Sequence, residues 1–481
     1  MPSGFTQDNR FLKMTTPLGA DVLLIESFTV SEHVSETFEI EIDALTEAGK
    51  SIDASKLLGQ SVTVHVRLNP DDTTARYFNG IVRELRVGTQ SDRFQGFRLS
   101  IVPKVWLATL SQNFRLFENK TVPDILKQIL SEYGISPTIR LSGTYTPWDM
   151  CTQYRESDFH FISRIMEHEG IFYFFEHGDG KHTMVLGDDP QAFQACPNQA
   201  SYNYAPDVGP GGAGDWIGDW GLASHLRTGS YRLWDWHQEN ASRFEASVQT
   251  KAPVAGNTAY RLSDFAGQFT HQFNKIGNVS KVTPEKDKLN RIRMEEVETE
   301  NPLYRAAGML RPLSAGQRFS VVGNDNSGDY VITSAEHSGT QHPPYVFGEF
   351  ETPLTYNTTL TCIKQGSTYR PARRHNKPVV QGPQTAIVTD RPDKYGRVRV
   401  KYHWGSPQPV SAWVRVVQKW AGPKYGAVFI PRPGHEVLIE FLDGDPDQPI
   451  ITGCVYSATN MPPYTLPDNF TQSGVKTRSL T

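Results

Sequence analysis

Apolar and polar residues alternate along most of this chain. In ETFEIEIDAL, Phe38, Ile40, Ile42 and Ala44 fall at every second position between polar neighbours, the two-residue repeat of a strand with one buried face. DVLLIESFTV, SVTVHVRL, RYFNGIVRELRVG and GFRLSIVPKVW carry related patterns at close spacing, with turn residues between them. They predict a meander that closes into a barrel or sandwich. Two stretches change period. In TVPDILKQILSEYG, Ile125, Leu126, Ile129, Leu130 and Tyr133 form a helical stripe; Thr121 stands as N-cap, Asp124 in the first turn, and Gly134 as the stop. FHFISRIMEHEGIFYFFEH predicts a second helix, capped by Ser157 and ended by Gly170, which runs into a buried strand.

From about 188 to 229 the chain is polar and rich in Gly, Pro and Trp, the pattern of an inserted loop region. Strands are expected again at SYRLWDWH and FEASVQT, a helix at KDKLNRIRMEEVE, and strands at QRFSVVGN and DYVITSAEHS. KQGSTYRPARRHNKPVVQGPQ is basic and broken by Pro and Gly, which places a domain boundary near Lys377. Beyond it, RVRVKYHW puts Val398, Val400, Tyr402 and Trp404 on one face and Arg397, Arg399, Lys401 and His403 on the other. With AWVRVVQKW, AVFIP, EVLIEFL and PIITGCVY, this predicts a small closed barrel of the OB type.

Length and composition narrow the class. The 481 residues, 38% hydrophobic and 21% charged, suit a globular protein of two to four domains. A formal charge of −4 argues against general affinity for polyanions. No Sec-type signal pattern opens the sequence, and no apolar run approaches the ~18 residues of a membrane span. The four cysteines, Cys151, Cys196, Cys362 and Cys454, are scattered, with no CxxC pair, and read as structural thiols.

Three strings imitate chemical motifs. A zincin needs H-E-x-x-H on a helix, but His168-Glu169 is followed by the helix breaker Gly170, and Phe172 stands where the second His is required. His160 and His168 lie about 80° and ~12 Å apart on an ideal helix, too far to chelate together, and His177 lies beyond the turn. DGDPDQP, beginning at Asp443, has acids at alternate positions like a calcium loop, yet Gln448 and Cys454 replace the required Gly and Glu; a strand connection is expected there. GPGGAG, Gly209 to Gly214, matches G-x-G-x-x-G without the preceding strand or following helix of a dinucleotide site. No catalytic, cofactor-binding or metal-binding residue is nominated. An OB barrel could bind single strands, but alternation separates Tyr402 and Trp404 from the cations, so the basic face reads as solvated or subunit-facing.

RFLKMTTPLGADVLLIESFTVSEHVSETFEIEIDAL, RYFNGIVRELRVG, QYRESDFHFISRIMEHEGIFYFFEH, GRVRVKYHW and WVRVVQKWAGPKYGAVFIPRPGHEVLIEFLDGDPDQPIITGCVYSATNMPPY occur in the order seen in the VgrG family. That resemblance to the spikes of bacterial type VI secretion systems, themselves similar to contractile phage tail hubs, covers nearly the whole chain. It implies a mainly β fold: residues 1–376 as a hub of two β-barrel-like domains with inserted helices, variable over about 188–283; 377–460 as an OB-fold barrel; and 461–481 as a neck leading to a β-helical needle that would begin where the sequence stops. It further implies a homotrimer seated on a hexameric tube protein, baseplate contacts, and a PAAR-type tip protein and effectors carried through the needle. The role implied is mechanical, not enzymatic: assembly in the cytoplasm, then ejection by sheath contraction, without stable membrane insertion. A peptidoglycan-degrading spike enzyme, a phage baseplate hub and a nucleic-acid-binding OB protein are the competing expectations.

Overall fold

The computed structural model describes the chain except residues 1–4, 9, 69–73, 208–213, 274, 300, 342–344, 346–353, 406–410 and 479–481. Its largest element is a 13-stranded sheet. The main path runs Leu12–Thr15, Ser61–Arg67, Ala75–Gln90, Phe94–Val102, Glu39–Glu47, Leu24–His33, Gly328–Gln341, Leu354–Lys364, Leu303–Met309, Trp216–Ala223. The early strands form one half and the late strands the other. They join where Ser27–His33 pairs antiparallel with Ser334–Thr340. Each half has its own core: Phe28, Phe38, Val64 and Leu99 in the first, Tyr202, Phe319, Tyr330 and Leu360 in the second.

Helices α1 (Val122–Glu132), α2 (Asp158–Glu169) and α3 (Val282–Thr299) are joined to this hub. The caps follow the sequence. Thr121 accepts from the Asp124 amide, and Ser157 accepts from the His160 amide at 3.1 Å. Asp158, buried, then collects Asn113 (2.9 Å), Gln153 (2.7 Å) and Tyr133 (2.7 Å), tying α2 to α1 and to the two-stranded ribbon of Gln112–Phe117 with Cys151–Ser157. Gly170 ends α2 at φ 72°, where a Cβ would meet Ile292 at 3.1 Å and Arg370 at 3.0 Å. Gly170→Ala is expected to lose about 1–3 kcal/mol, from left-handed strain plus crowding, read as a lower urea midpoint. An unchanged midpoint would show that the α2 end tolerates a side chain.

The barrel closes through Gln384–Val388, Val398–Tyr402, Ser411–Val416, Pro449–Val455 and Glu436–Phe441. Val398, Val400, Val414, Val437 and Ile439 fill it with no exposure, each contributing about 1.5–3 kcal/mol by burial.

The structure corrects the sequence reading in three places. The polar stretch after 188 holds strands Gln194–Ala195, Ser201–Asn203 and Trp216–Ala223, all within the large sheet. Among its apolar residues, Tyr202 and Ile217 are fully buried, and the sheet face they meet decides the conformation. AVFIP is not a strand: Val428 and Phe429 are exposed, and the Gln418 amide clamps Phe429 on both backbone groups (2.8 and 3.3 Å). The fifth barrel strand is Gln384–Val388, whose period the Pro-rich flank obscured. GPGGAG lies almost wholly outside the described residues, Gly214 excepted.

Candidate functional site: the seam between hub and barrel

The basic segment read as a boundary is a strap. Arg370 pairs with Glu295 at 2.8 Å on α3 and donates to the Gly170 carbonyl at 3.0 Å. Arg373 reaches Asp264 (3.1 Å) and Glu296 (3.2 Å), and Arg374 pairs with Glu36. His375 meets Glu167 of α2 at 2.6 Å. Lys377 ends the series in the barrel's own turn. Cation after cation along eight residues finds an acid of a different element, so the connection is held at many points.

Lys377 Nζ lies 2.6 Å from Asp445 and 2.7 Å from Asp447. The two aspartates belong to DGDPDQP, which forms the expected connection between barrel strands, with Asp443 and Gly444 in left-handed conformation (φ 52° and 69°). Asp447 is buried and also accepts from the Thr152 amide of the hub at 2.8 Å. His271, from the region after the small sheet of Ser230–His237, Ser242–Gln249 and Arg261–Asp264, stands 3.3 Å from Lys377. His271, Asp445 and Asp447 could place three ligand atoms within 4.8 Å of one another, close enough for a divalent cation. The position such an ion would take is the one the lysine ammonium holds. Burial alone would raise the Asp445 carboxyl, but Lys377 and His271 hold it well below the usual carboxylate range. Burial opposes charge on Lys377 as well, and the two aspartates nevertheless raise it. Burial and the neighbouring Lys377 push His271 down, toward the neutral imidazole. The arrangement is an ion triad that pins barrel to hub.

An aromatic wedge lies alongside. Tyr402 stacks on Trp404 at 4.7 Å, and Trp404 packs against Phe114 (5.9 Å) and Tyr154 (5.7 Å) of the hub's two-stranded ribbon. Gln384 links the two bodies, accepting from Trp404 Nε1 and donating to the Tyr154 hydroxyl, each at 2.7 Å. The aromatics that base stacking would need are thus engaged with the hub. The opposite face of this strand is only partly as expected: Lys401 and His403 are exposed, whereas Arg397 is buried against Asp393 at 2.6 Å. Arg399 turns toward Glu118 of the hub at 3.6 Å.

The histidines of the α2 stretch go to separate partners: His160 to Glu156 (2.8 Å), His168 to Gln272 (2.7 Å), His177 to Glu32 (3.0 Å). Burial holds His168 well below the ordinary imidazole value. Glu169 shares Lys288 (2.5 Å) with Glu285 (2.9 Å from the same ammonium). Burial, with a second carboxylate on one cation, pushes Glu169 up to about 7. It is 3% exposed, with its proton acceptor committed inside the protein, which suits a structural pair. Glu32, Arg76, His177 and His337 form another buried group where the two sheet halves join, Glu32 lying 3.7 Å from Arg76. Sequence reasoning missed the strap and this group. The strap left a trace: Arg370, Arg373, Arg374, His375 and Lys377 in eight residues, facing the acidic pair Glu295-Glu296 upstream. The Glu32 group left none, since its members lie far apart in the chain.

Comparison with known proteins agrees with this architecture. Residues 31–343 match the family described as phage tail baseplate hub (GPD), and 384–456 match the type VI secretion system/phage-baseplate injector OB domain. The type VI secretion system spike proteins VgrG1b and VgrG1a of Pseudomonas aeruginosa are 35% and 34% identical, each over 98% of this chain. The chain spans 64% of the former's length and 73% of the latter's. The E. coli c3393 protein, described as a type VI secretion component with structural similarity to the T4 bacteriophage tail proteins gp27 and gp5, superposes with a TM-score of 0.64. That match has 20% identity and covers 92% of this chain and 99% of that one. A hub of two joined sheet halves, strapped to an OB barrel and matched in sequence over nearly all of its length, makes this chain a member of the VgrG family of type VI secretion system spike proteins.

Proposed function

We propose that the chain is the body of a non-catalytic spike that assembles as a homotrimer and is driven through a target envelope by a contracting sheath, bearing effectors. In this reading 1–376 is the hub, variable over about 188–283, 377–460 the barrel and 461–481 the neck. The tube protein and baseplate meet the hub, a PAAR-type tip lies beyond the neck, and the particle leaves the cytoplasm by ejection. The observation that carries the reading is the apolar surface of the barrel and neck. Trp420 (64%), Val428 (74%), Phe429 (61%), Tyr456 (65%), Met461 (73%) and Phe470 (79%) are all largely exposed. A lone soluble chain rarely exposes so many large apolar residues over one short region, whereas an obligate interface requires them. The strap and triad support the mechanical part, because thrust on the hub must reach the barrel without the two parting.

Light scattering of the 481-residue chain tests this directly, with three copies per particle expected. Phe429→Asp together with Phe470→Asp is expected to weaken self-association by about tenfold or more, by placing charge in the buried core of the interface. A particle that stays monomeric at every concentration, or one unaffected by both charges, would defeat the trimer.

A further inference from the structure

A cleft runs between the strand Ser230–His237 and the barrel strand Ser411–Val416, beside the seam, with Asp447 and His271 of the Lys377 site among its walls. It offers ≈ 100 Å³ of accessible space and opens to solvent. Trp236 (46% exposed), Trp413 (38% exposed), Met150 and Pro449 supply apolar walls. Within it stands Arg415, whose guanidinium carbon lies 5.8 Å from the centre of the Trp236 ring.

The charges around this guanidinium are already answered by other groups. Asp447 holds Lys377, Glu118 faces Arg399 (3.6 Å), Asp149 accepts from the Lys275 amide (2.6 Å) and Asn278 (2.7 Å), and Arg397 is paired with Asp393. Among the described residues, the Arg415 side chain makes no hydrogen bond or ion pair, and its guanidinium faces the Trp236 ring. Burial and the nearby Arg397 push its pKa down, two penalties that a carboxylate would relieve together. A guanidinium fork matches a carboxylate in bidentate geometry, and an arginine between tryptophans is the composition of an interface anchor. The space beside the guanidinium admits an acidic side chain or a terminal carboxylate. The flanking tryptophans would cover the neighbouring residue of an extended chain.

We propose that this cleft docks an acidic peptide segment of a protein partner, with one carboxylate seated on Arg415 and an adjacent apolar side chain lying along Trp236 and Trp413. The proposal rests on no part of the spike reading, since binding is measured on the chain itself. A displayed library of random heptapeptides is panned in parallel on the 481-residue chain and on its Arg415→Gln variant. Asp or Glu next to an aromatic or leucine is expected to be enriched on the parent alone. By fluorescence anisotropy, the best peptide should lose about tenfold in affinity on Arg415→Gln, and as much when its own acid becomes the amide. Arg415→Lys should fall between. The amide peptide needs no variant, so misfolding cannot mimic the result. No acidic enrichment, or equal enrichment on both proteins, overturns the proposal. So does complete displacement by millimolar acetate or phosphate, which marks a simple anion site. Loss of binding as the chain self-associates also overturns it, because a second copy would then fill the cleft.

Discussion

Lys377→Met is expected to destabilise the joint between hub and barrel by about 3–5 kcal/mol, since it leaves two buried carboxylates with no cation. Asp445 and Asp447 lie 2.6 and 2.7 Å from the ammonium that would be lost. Two domains joined in this way need not unfold in one step, so the readout is local. Protease cutting between residues 365 and 384 should accelerate, and calorimetry should show the barrel melting apart from the hub. Adding Asp445→Asn and Asp447→Asn to Lys377→Met should recover most of the loss, because no charge then remains unpaired. The pH behaviour follows from the directions of the shifts. Asp445 is lowered from 3.8, so its contribution is present above about pH 4 and fades as pH falls through the depressed value. Lys377 is raised from 10.5, so its contribution is complete below that pH and fades only above it. These two groups leave the joint indifferent to pH above about 6.5; below it, His271, lowered from 6.5 by burial, resists a proton that the unfolded chain takes up, so the joint should weaken. Unaltered proteolysis and melting in Lys377→Met would remove the triad from any structural role.

The hub itself should be acid-labile at a different place. His337 is buried where the sheet halves join and is pushed down from 6.5 to about 4, by burial first. Arg76 pushes in the same direction, whereas Glu32 and Glu336 oppose it. Its Nδ1 meets Tyr356 (3.0 Å) and Thr358 (3.3 Å), and its Nε2 lies 3.9 Å from Glu32. His177, also lowered by burial, stands across the same carboxylate at 3.0 Å. The unfolded chain takes up these protons below pH 6.5 and the folded chain resists, so stability is complete above that pH. It should decline as pH falls toward 4, by about 3 kcal/mol for His337 alone. Urea midpoints at pH 7.5, 5.5 and 4.5 would measure the slope, and His337→Gln should flatten it while keeping a polar side chain. Parallel slopes in parent and variant would show that the acid response originates elsewhere.

The difference between the two devices mirrors what could be read in advance. Alternation in ETFEIEIDAL and RVRVKYHW announced strands because their apolar residues recur at the strand period, and both segments bury that face. Ser157 and Gly170 marked the limits of α2 for reasons contained within a few residues. AVFIP misled for the complementary reason: an apolar run says only that a surface wants cover, and in this chain the cover is not its own barrel.

By itself, then, the sequence determined most of the elements, among them the limits of α2, and the family pattern carried by long ordered segments. The tertiary structure alone decided which charges meet. Lys377 and Asp445 lie far apart along the chain, as do Glu32 and His337, and periodicity reports only the face on which a residue lies. Coulomb attraction depends on distance in space and on how much water is excluded between the partners. Both quantities come into being when the barrel seats on the hub, and so does the unanswered charge of Arg415.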